Sequence, residues 1–339
     1  MAEVKRINLA LQGGGAHGAF TWGVLDRLLE DERLEVAAIS GTSAGALNGA
    51  ALKSGWVEDG RDGARKRLDW LWARMGAVED LRWPDWMAAG WSATAVSRAM
   101  ELSLPFLWAD AMSRAVSPYA YGTLYSNPLR PVVEGFEYGK VCSSHGPAFF
   151  VGATNVHTGK IRVFQGSEIS TDALLASACL PTLFQAVEID GAAYWDGGYT
   201  GNPALFPLFV PDLPADIVVI NINPLERAEV PRTAQDIQNR INEISFNSSL
   251  LREFRAISFV QRLLDEGVIG TDAMKRIHMH MIADDALMSD LSVATKMVPV
   301  PELLLRLKAA GRAAGERFLT AHFDDLGARS SFDLAGMYG

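Results

Sequence analysis

Disulfides, a basic surplus and long apolar runs are what this sequence lacks. Its two cysteines, Cys142 and Cys179, build no disulfide framework and suit a reducing compartment. Its 31 Lys and Arg are outnumbered by 40 Asp and Glu, a net charge of -9. A nucleic-acid binder carries a basic surplus instead, and an acidic chain adheres poorly to anionic membranes. No stretch approaches the ~18 to 20 apolar residues of a membrane span. The opening MAEVKRINLAL runs straight into a strand-like segment, without the charged region, apolar core and cleavage site of a signal peptide. The expectation is a cytoplasmic protein, with peripheral contact to lipid left open. No repeat, low-complexity block or linker is visible. One domain over 1–323 followed by a loose tail at 324–339 is the economical reading.

What is present is a strand and helix alternation. INLAL (Ile7 to Leu11) reads as a buried strand, and Phe20, Val24, Leu25, Leu28 and Leu29 then recur at helical spacing. VAAIS (Val36 to Ser40) is a second strand, and a helix follows it. That opening predicts an α/β fold with a mostly parallel sheet covered by helices. Residues 60–125 differ. They hold six of the nine tryptophans (Trp70, Trp72, Trp83, Trp86, Trp91 and Trp108), with Met75, Met87, Met100 and Met112. They read as a helical Trp/Met-rich insertion, either a packed cap or an apolar lid, since Trp favours sites with one dry and one wet end. Strands resume at AFFVGATNVHTG and KIRVFQG, a hairpin turns at Asp190-Gly191, and DIVVININ is another buried strand. A long helix from residue 233 places Ile237, Ile241, Ile244, Leu251, Phe254 and Ile257 on one stripe. Asn247-Ser248-Ser249 matches the glycosylation triplet by chance.

Three short stretches carry candidate chemistry. GTSAG (Gly41 to Gly45) is G-x-S-x-G between a strand and a helix. It lifts the Ser43 hydroxyl into the open on a sharp turn. QGGGAHG places Gly13, Gly14 and Gly15 after the first strand. Gly13, Gly15 and Gly18 also spell the dinucleotide fingerprint, but the second strand ends in GTSAG rather than in the acid that would hold a ribose. The bare amides suit an oxyanion hole instead. YWDGG ends a strand at Asp196, followed by Gly197 and Gly198, where a carboxylate can accept a serine proton or simply make a turn. No later histidine sits in an obvious catalytic turn. His278-x-His280 reads as strand packing, with too few partners for a metal, and His17 is an auxiliary candidate beside the glycine loop.

The ordered set LQGGGAHGAF, GTSAG and ASACLPTLFQAVEIDGAAYWDGGYTGNP resembles the patatin-like phospholipase family over most of residues 6–225. The resemblance implies a three-layer α/β/α fold and a Ser-Asp dyad working through an acyl-enzyme, with no metal, no cofactor and no catalytic histidine. It assigns Ser43 as nucleophile and Asp196 as base. It assigns the amides of Gly14 and Gly15, with Gly13 as a third, to the oxyanion. His17 stands where the family often carries a basic residue. The implied substrate is a phospholipid or another long-chain ester. An acyltransferase, or a hydrolase of polyesters or acylglycerols, would use the same site. A nucleotide-binding oxidoreductase and a dead lipid-binding protein are the other classes. An aspartate with the ordinary pKa of about 3.9 is ionised at neutral pH and a weak base, which would put much of the acceleration on the oxyanion amides.

Overall fold

Ile7, Leu9 and Leu11 alternate with Asn8 and Ala10 along β1 (Lys5–Leu11), and all five are buried. A strand dry on both faces belongs inside a sheet with helices on either side. The computed structural model, which describes residues 4–76 and 116–338, puts it there. β1 lies parallel to β2 (Leu34–Thr42) on one edge and to β7 (Asp216–Ile220) on the other. β3 (Ala148–Asn155) continues the parallel set beyond β2, and β8 (His278–Ile282) beyond β7. Antiparallel β4 (Ile161–Gln165), β5 (Val187–Ile189) and β6 (Ala192–Asp196) complete the eight strands on the β3 side.

The period of two along each strand divides the core. Leu9, Leu11, Val218 and Ile220 face one cluster, with α1 (Gly18–Glu30) and α2 (Ala44–Met75) packed on it. Ala10, Ile217 and Val219 face a second cluster, with Leu250, Phe254 and Ile257 of the helix Ala234–Asp265. Helix, sheet and helix are the three layers of an α/β/α fold.

Three expectations differ from this arrangement. Residues 60–76 are not the start of an insertion. α2 breaks at Asp59 and Gly60, then resumes, and Leu68, Leu71 and Trp72 enter the main core, with Trp72 stacked on Trp22. Trp83, Trp86, Trp91 and Trp108 lie outside the described residues. The end of the chain is not loose. Leu326 and Leu334 are buried, and the amides of Ser331 and Phe332 both donate to Met279 O on the outer edge of β8, so the segment covers an edge strand that would otherwise present unpaired groups. The stripe on Ala234–Asp265 splits. Phe254 and Ile257 are buried, but Ile237, Ile241 and Ile244 are exposed. The first turns of that helix turn their amide side chains inward instead.

Candidate active site

Ser43 is the hinge between β2 and α2, with φ 54° and ψ -124°. A non-glycine residue in that region is strained, and the strain points its side chain out of the turn. The Ser43 amide donates to Ser177 Oγ at 2.9 Å, and that hydroxyl donates to Gly152 O at 2.7 Å, so the turn is tied to β3. Gly45 follows because α2 starts against the end of β1: a Cβ there would lie 2.1 Å from Leu11 O. Gly41, one residue before the end of β2, is pressed against the Gly45 backbone. The start of α2 sets the positive end of its dipole at the hydroxyl.

Register brings Asp196 to this serine. β2 ends with Thr42 opposite Gly152 of β3. β6 pairs with β3 beyond that point, with Asp196 opposite Ala153. The serine after Thr42 and the acid opposite the next rung are therefore brought together, and the Ser43 hydroxyl lies close enough to the Asp196 carboxylate to favour its ionised form. Gly198 N adds a bond to Oδ1 at 2.8 Å, and Thr154 Oγ1 holds the Asp196 carbonyl at 2.8 Å. Gly197 lies between them, in the short turn that closes the strand. Asp196 is only 2% exposed. Burial pushes its pKa up to about 7 against the opposite pull of the Gly198 amide and the nearby Ser43 hydroxyl. It is thus a stronger base than the ordinary aspartate expected from sequence.

The glycine loop follows β1 and faces the elbow, because β1 and β2 are neighbours. Gly13 is not a free donor: its amide is given to Asn202 Oδ1 at 2.7 Å. Its carbonyl accepts from Asn223 Nδ2 at 2.8 Å. The amides of Gly14 and Gly15 take no protein acceptor among the described residues. Gly15 has φ +58°, and its Cα lies so close to the Lys296 carbonyl that a Cβ would be 2.2 Å from it. Beneath the loop, Gln12 accepts from the amides of Ile222 and Asn223 and donates to Asn247 Oδ1. Asn247 is 2% exposed and fully engaged, so its glycosylation triplet is buried.

His17 lies after this loop but does not line the site. Its Nε2 meets Thr295 Oγ1 at 2.9 Å, and its Nδ1 is buried without a partner. Burial, with the Lys296 charge adding to it, holds its pKa well below the usual imidazole value. It is a neutral packing group. Among the described residues the cation lining the site is Lys296 instead, which sequence reading missed, as it missed Asn202 and Asn223. A signal was there: Asn221 and Asn223 end a buried parallel strand on the side where α/β sheets bind ligands. His278 and His280 face Asp216 at the other end of the sheet, at 3.5 Å and 3.0 Å. No cluster able to hold a metal occurs among the described residues.

Ser43, Asp196 and Gly13 to Gly15 open on a cavity of about 550 Å³. Its lining is apolar at Leu47, Leu71, Trp72, Met75, Leu180 and Phe184 and polar at Gln238, Asn239, Asn242 and Lys296. No histidine lines it among the described residues. No helix of the described residues is long and apolar enough to cross a membrane.

The sequence model of the patatin-like phospholipase family matches residues 9–209, a span containing Ser43, Asp196 and the glycine loop. No curated protein matches the chain. Among solved structures, VipD from Legionella pneumophila is 15% identical with a TM-score of 0.43; the match covers 94% of this chain and 67% of VipD. The heterodimeric ExoU-SpcU complex from the type III secretion system of Pseudomonas aeruginosa is 17% identical with a TM-score of 0.34, covering 99% of this chain and 66% of the other. The chain thus spans about two thirds of the length of each.

Proposed function

The chain belongs to the patatin-like phospholipase family, and on that premise we propose that it hydrolyses fatty-acyl ester bonds of lipids through Ser43 and Asp196. The observation that carries this reading is the placing of the Ser43 hydroxyl beside a buried carboxylate whose pKa is about 7, in one cavity with two glycine amides that have no protein acceptor among the described residues. The Asp196 carboxylate takes the hydroxyl proton as Ser43 Oγ bonds to the ester carbon. The carbonyl electron pair moves to oxygen, where the amides of Gly14 and Gly15 receive it. Collapse of that intermediate breaks the bond to the alcohol, which leaves with the proton from Asp196. Water then gives a proton to Asp196 and attacks the acyl-serine, freeing the fatty acid and returning the proton to Ser43.

The apolar wall accepts the acyl chain, and Met75 suits chains of varied shape. Ile237, Ile241 and Ile244 are exposed on the helical turns that give Gln238, Asn239 and Asn242 to the cavity. An apolar rim beside a wet wall supports a substrate taken from a lipid surface by peripheral contact.

The test is labelling with a fluorophosphonate, followed by turnover of phospholipids, acylglycerols and p-nitrophenyl esters with and without an alcohol acceptor. The expected result is one adduct on Ser43 and no turnover by Ser43→Ala. Undiminished hydrolysis by a folded Ser43→Ala protein removes the serine from its role. Ester products with the added alcohol would instead make the enzyme an acyltransferase.

A further inference from the structure

Lys296 lies outside the span that the family model matches, yet it meets the glycine loop twice. The short helix Val293–Met297 sets the Lys296 carbonyl so close to Gly15 that no Cβ fits there. The Lys296 side chain reaches the loop by a longer route. Its Nζ donates to Asn223 Oδ1 at 3.0 Å, and Asn223 Nδ2 donates to Gly13 O at 2.8 Å. Glu243 is the counter-charge of this ammonium, and Arg227 and Arg240 hold that carboxylate in turn. The lysine charge is balanced within the protein, so its use must be sought along its own hydrogen bonds.

The Gly13 carbonyl and the Gly14 N–H belong to one trans peptide, and the two groups of such a peptide point in opposite directions. Asn223 takes the carbonyl end. The N–H end has no protein acceptor among the described residues, and Gly14 lines the cavity that holds Ser43. Ammonium, side-chain amide and backbone amide thus stand head to tail. Each bond in such a chain polarises the next, so positive charge at Nζ strengthens the donor at Gly14. An ammonium also has donors only. It therefore keeps the Asn223 oxygen toward Lys296 and the NH2 group toward Gly13.

We propose that Lys296 is a positioning residue for the oxyanion: acting through Asn223, it orients the Gly13–Gly14 peptide and polarises the Gly14 N–H toward the developing charge. The proposal rests on the hydrolase reading and adds regulation by pH to that site. Burial lowers the Lys296 pKa to about 8. Glu243 opposes that fall, Arg227 adds to it, and His17 beside the loop stays neutral. Tyr199 and Cys179, near Asp196, are both pushed up to about 12. The relay is charged at neutral pH and loses its charge as pH rises through about 8.

The experiment measures kcat and KM on p-nitrophenyl butyrate across both limbs of the pH profile. It compares the full chain with Lys296→Met, Lys296→Arg, Asn223→Ala and the double variant of Lys296→Met with Asn223→Ala, each with a thermal melt. Lys296→Met is expected to lower kcat by about tenfold, a part of what a whole oxyanion donor contributes, with KM changed by less than about threefold. The parent protein should show a descending limb near pH 8. That limb should vanish in Lys296→Met. Lys296→Arg should recover most of kcat and carry the limb to higher pH, because a guanidinium stays charged. Asn223→Ala keeps the lysine but cuts the relay, so it too should lose the limb, and it holds the test open if Lys296→Met folds poorly. The double variant should lose no more than Asn223→Ala alone. Losses that add in the double variant, a limb that persists in Lys296→Met or Asn223→Ala, or a change in KM alone overturns the proposal. A parent protein that cleaves the ester with no limb near pH 8 overturns the relay and leaves the hydrolase reading standing. One that cleaves no ester overturns the hydrolase reading, and the relay with it.

Discussion

Gly13 and Asn202 hold each other across the site: the Gly13 amide donates to Asn202 Oδ1 at 2.7 Å, and Asn202 Nδ2 returns to Gly13 O at 3.4 Å. One partner precedes the free amides of the glycine loop, and the other follows the strand end that carries Asp196. Asn202 itself is anchored by Ser249, whose hydroxyl accepts its amide at 3.1 Å. Replacing Asn202 by Ala leaves a buried amide unpaired, which costs about 1 to 3 kcal/mol. It also frees the loop to drift from the position where, on the proposed mechanism, its amides would receive the oxyanion. The expected outcome for Asn202→Ala is a kcat lowered by about tenfold to a hundredfold with a smaller change in KM, and a lower Tm. Steady-state kinetics beside a thermal melt checks both. A normal kcat would show that the loop holds its position without this bond.

The Asp196 carboxylate, with its pKa of about 7, sets the pH profile. On the proposed mechanism only the ionised form takes the serine proton. The acylation rate should therefore rise with pH, pass half-maximum near 7, and stay flat above it until other groups intervene. An inflection near 4 would mean an aspartate of ordinary acidity. His17, neutral and out of the cavity, should leave that inflection in place when changed to Gln.

The same shift has a stability side. A carboxylate whose folded pKa is raised favours the folded state while protonated, and that contribution is lost as pH rises through about 7. Asp196→Asn, which carries no charge at any pH, should melt above the parent protein at pH 8. The gap should close as pH falls toward 4. Its size is of the order of a few kcal/mol at most, by the linkage of 1.36 kcal/mol per pKa unit. Turnover by the variant should be nearly abolished.

Backbone strain at the elbow is separable from the loss of the hydroxyl. Ser43 carries φ 54°, where a Cβ costs roughly 1 to 2 kcal/mol and glycine does not pay it. Ser43→Ala and Ser43→Gly both remove the hydroxyl beside Asp196, so their difference isolates the backbone. Ser43→Gly should be the more stable by about 1 kcal/mol, read from denaturant midpoints at equal m. Equal midpoints would mean that the turn relaxes in the alanine protein.

The sequence pattern shows the sheet and the elbow because their rules are local. INLAL and DIVVININ are apolar without interruption, and central parallel strands read that way. Gly45 could be read as a close approach before any coordinates, since a strand-to-helix turn around a serine demands one. Asn202, Asn223 and Lys296 could not be read in the same way. They lie 189, 210 and 283 residues after Gly13, and what joins them to it is the pairing of β1 with β7 and the packing of Val293–Met297 on the loop. The inward expectation for Ile237, Ile241 and Ile244 failed for a related reason. Periodicity locates an apolar stripe, but which face meets the sheet is decided by neighbours, and here the amides beside those residues meet the cavity.

At the opposite end of β7, Asp216 fastens the last residues of the chain. Its Oδ1 accepts from Gly327 N at 2.8 Å and meets His280 Nε2 at 3.0 Å, while His280 Nδ1 meets Ser331 Oγ at 2.8 Å. Burial alone would raise its pKa, but the bonds to His280 and Gly327, with His278 close beside it, hold it well below the usual carboxylate range. With a depressed folded pKa, the contribution to stability is present above about 4, where the unfolded aspartate ionises, and is lost as pH falls through the folded value. Asp216→Asn should therefore melt below the parent protein at pH 7, by about 1.5 to 3 kcal/mol for hydrogen bonds to a charged group, and the two should converge in acid. Limited proteolysis at pH 7 should cut the variant sooner within residues 326–338. Asp216 begins β7, and Asn223, just past the end of that strand, reaches the glycine loop. Hydrolysis of a short soluble ester at a temperature where both proteins are folded should then change by less than about threefold. A loss comparable to that of Asn202→Ala would mean that the strand transmits the disturbance along its whole length.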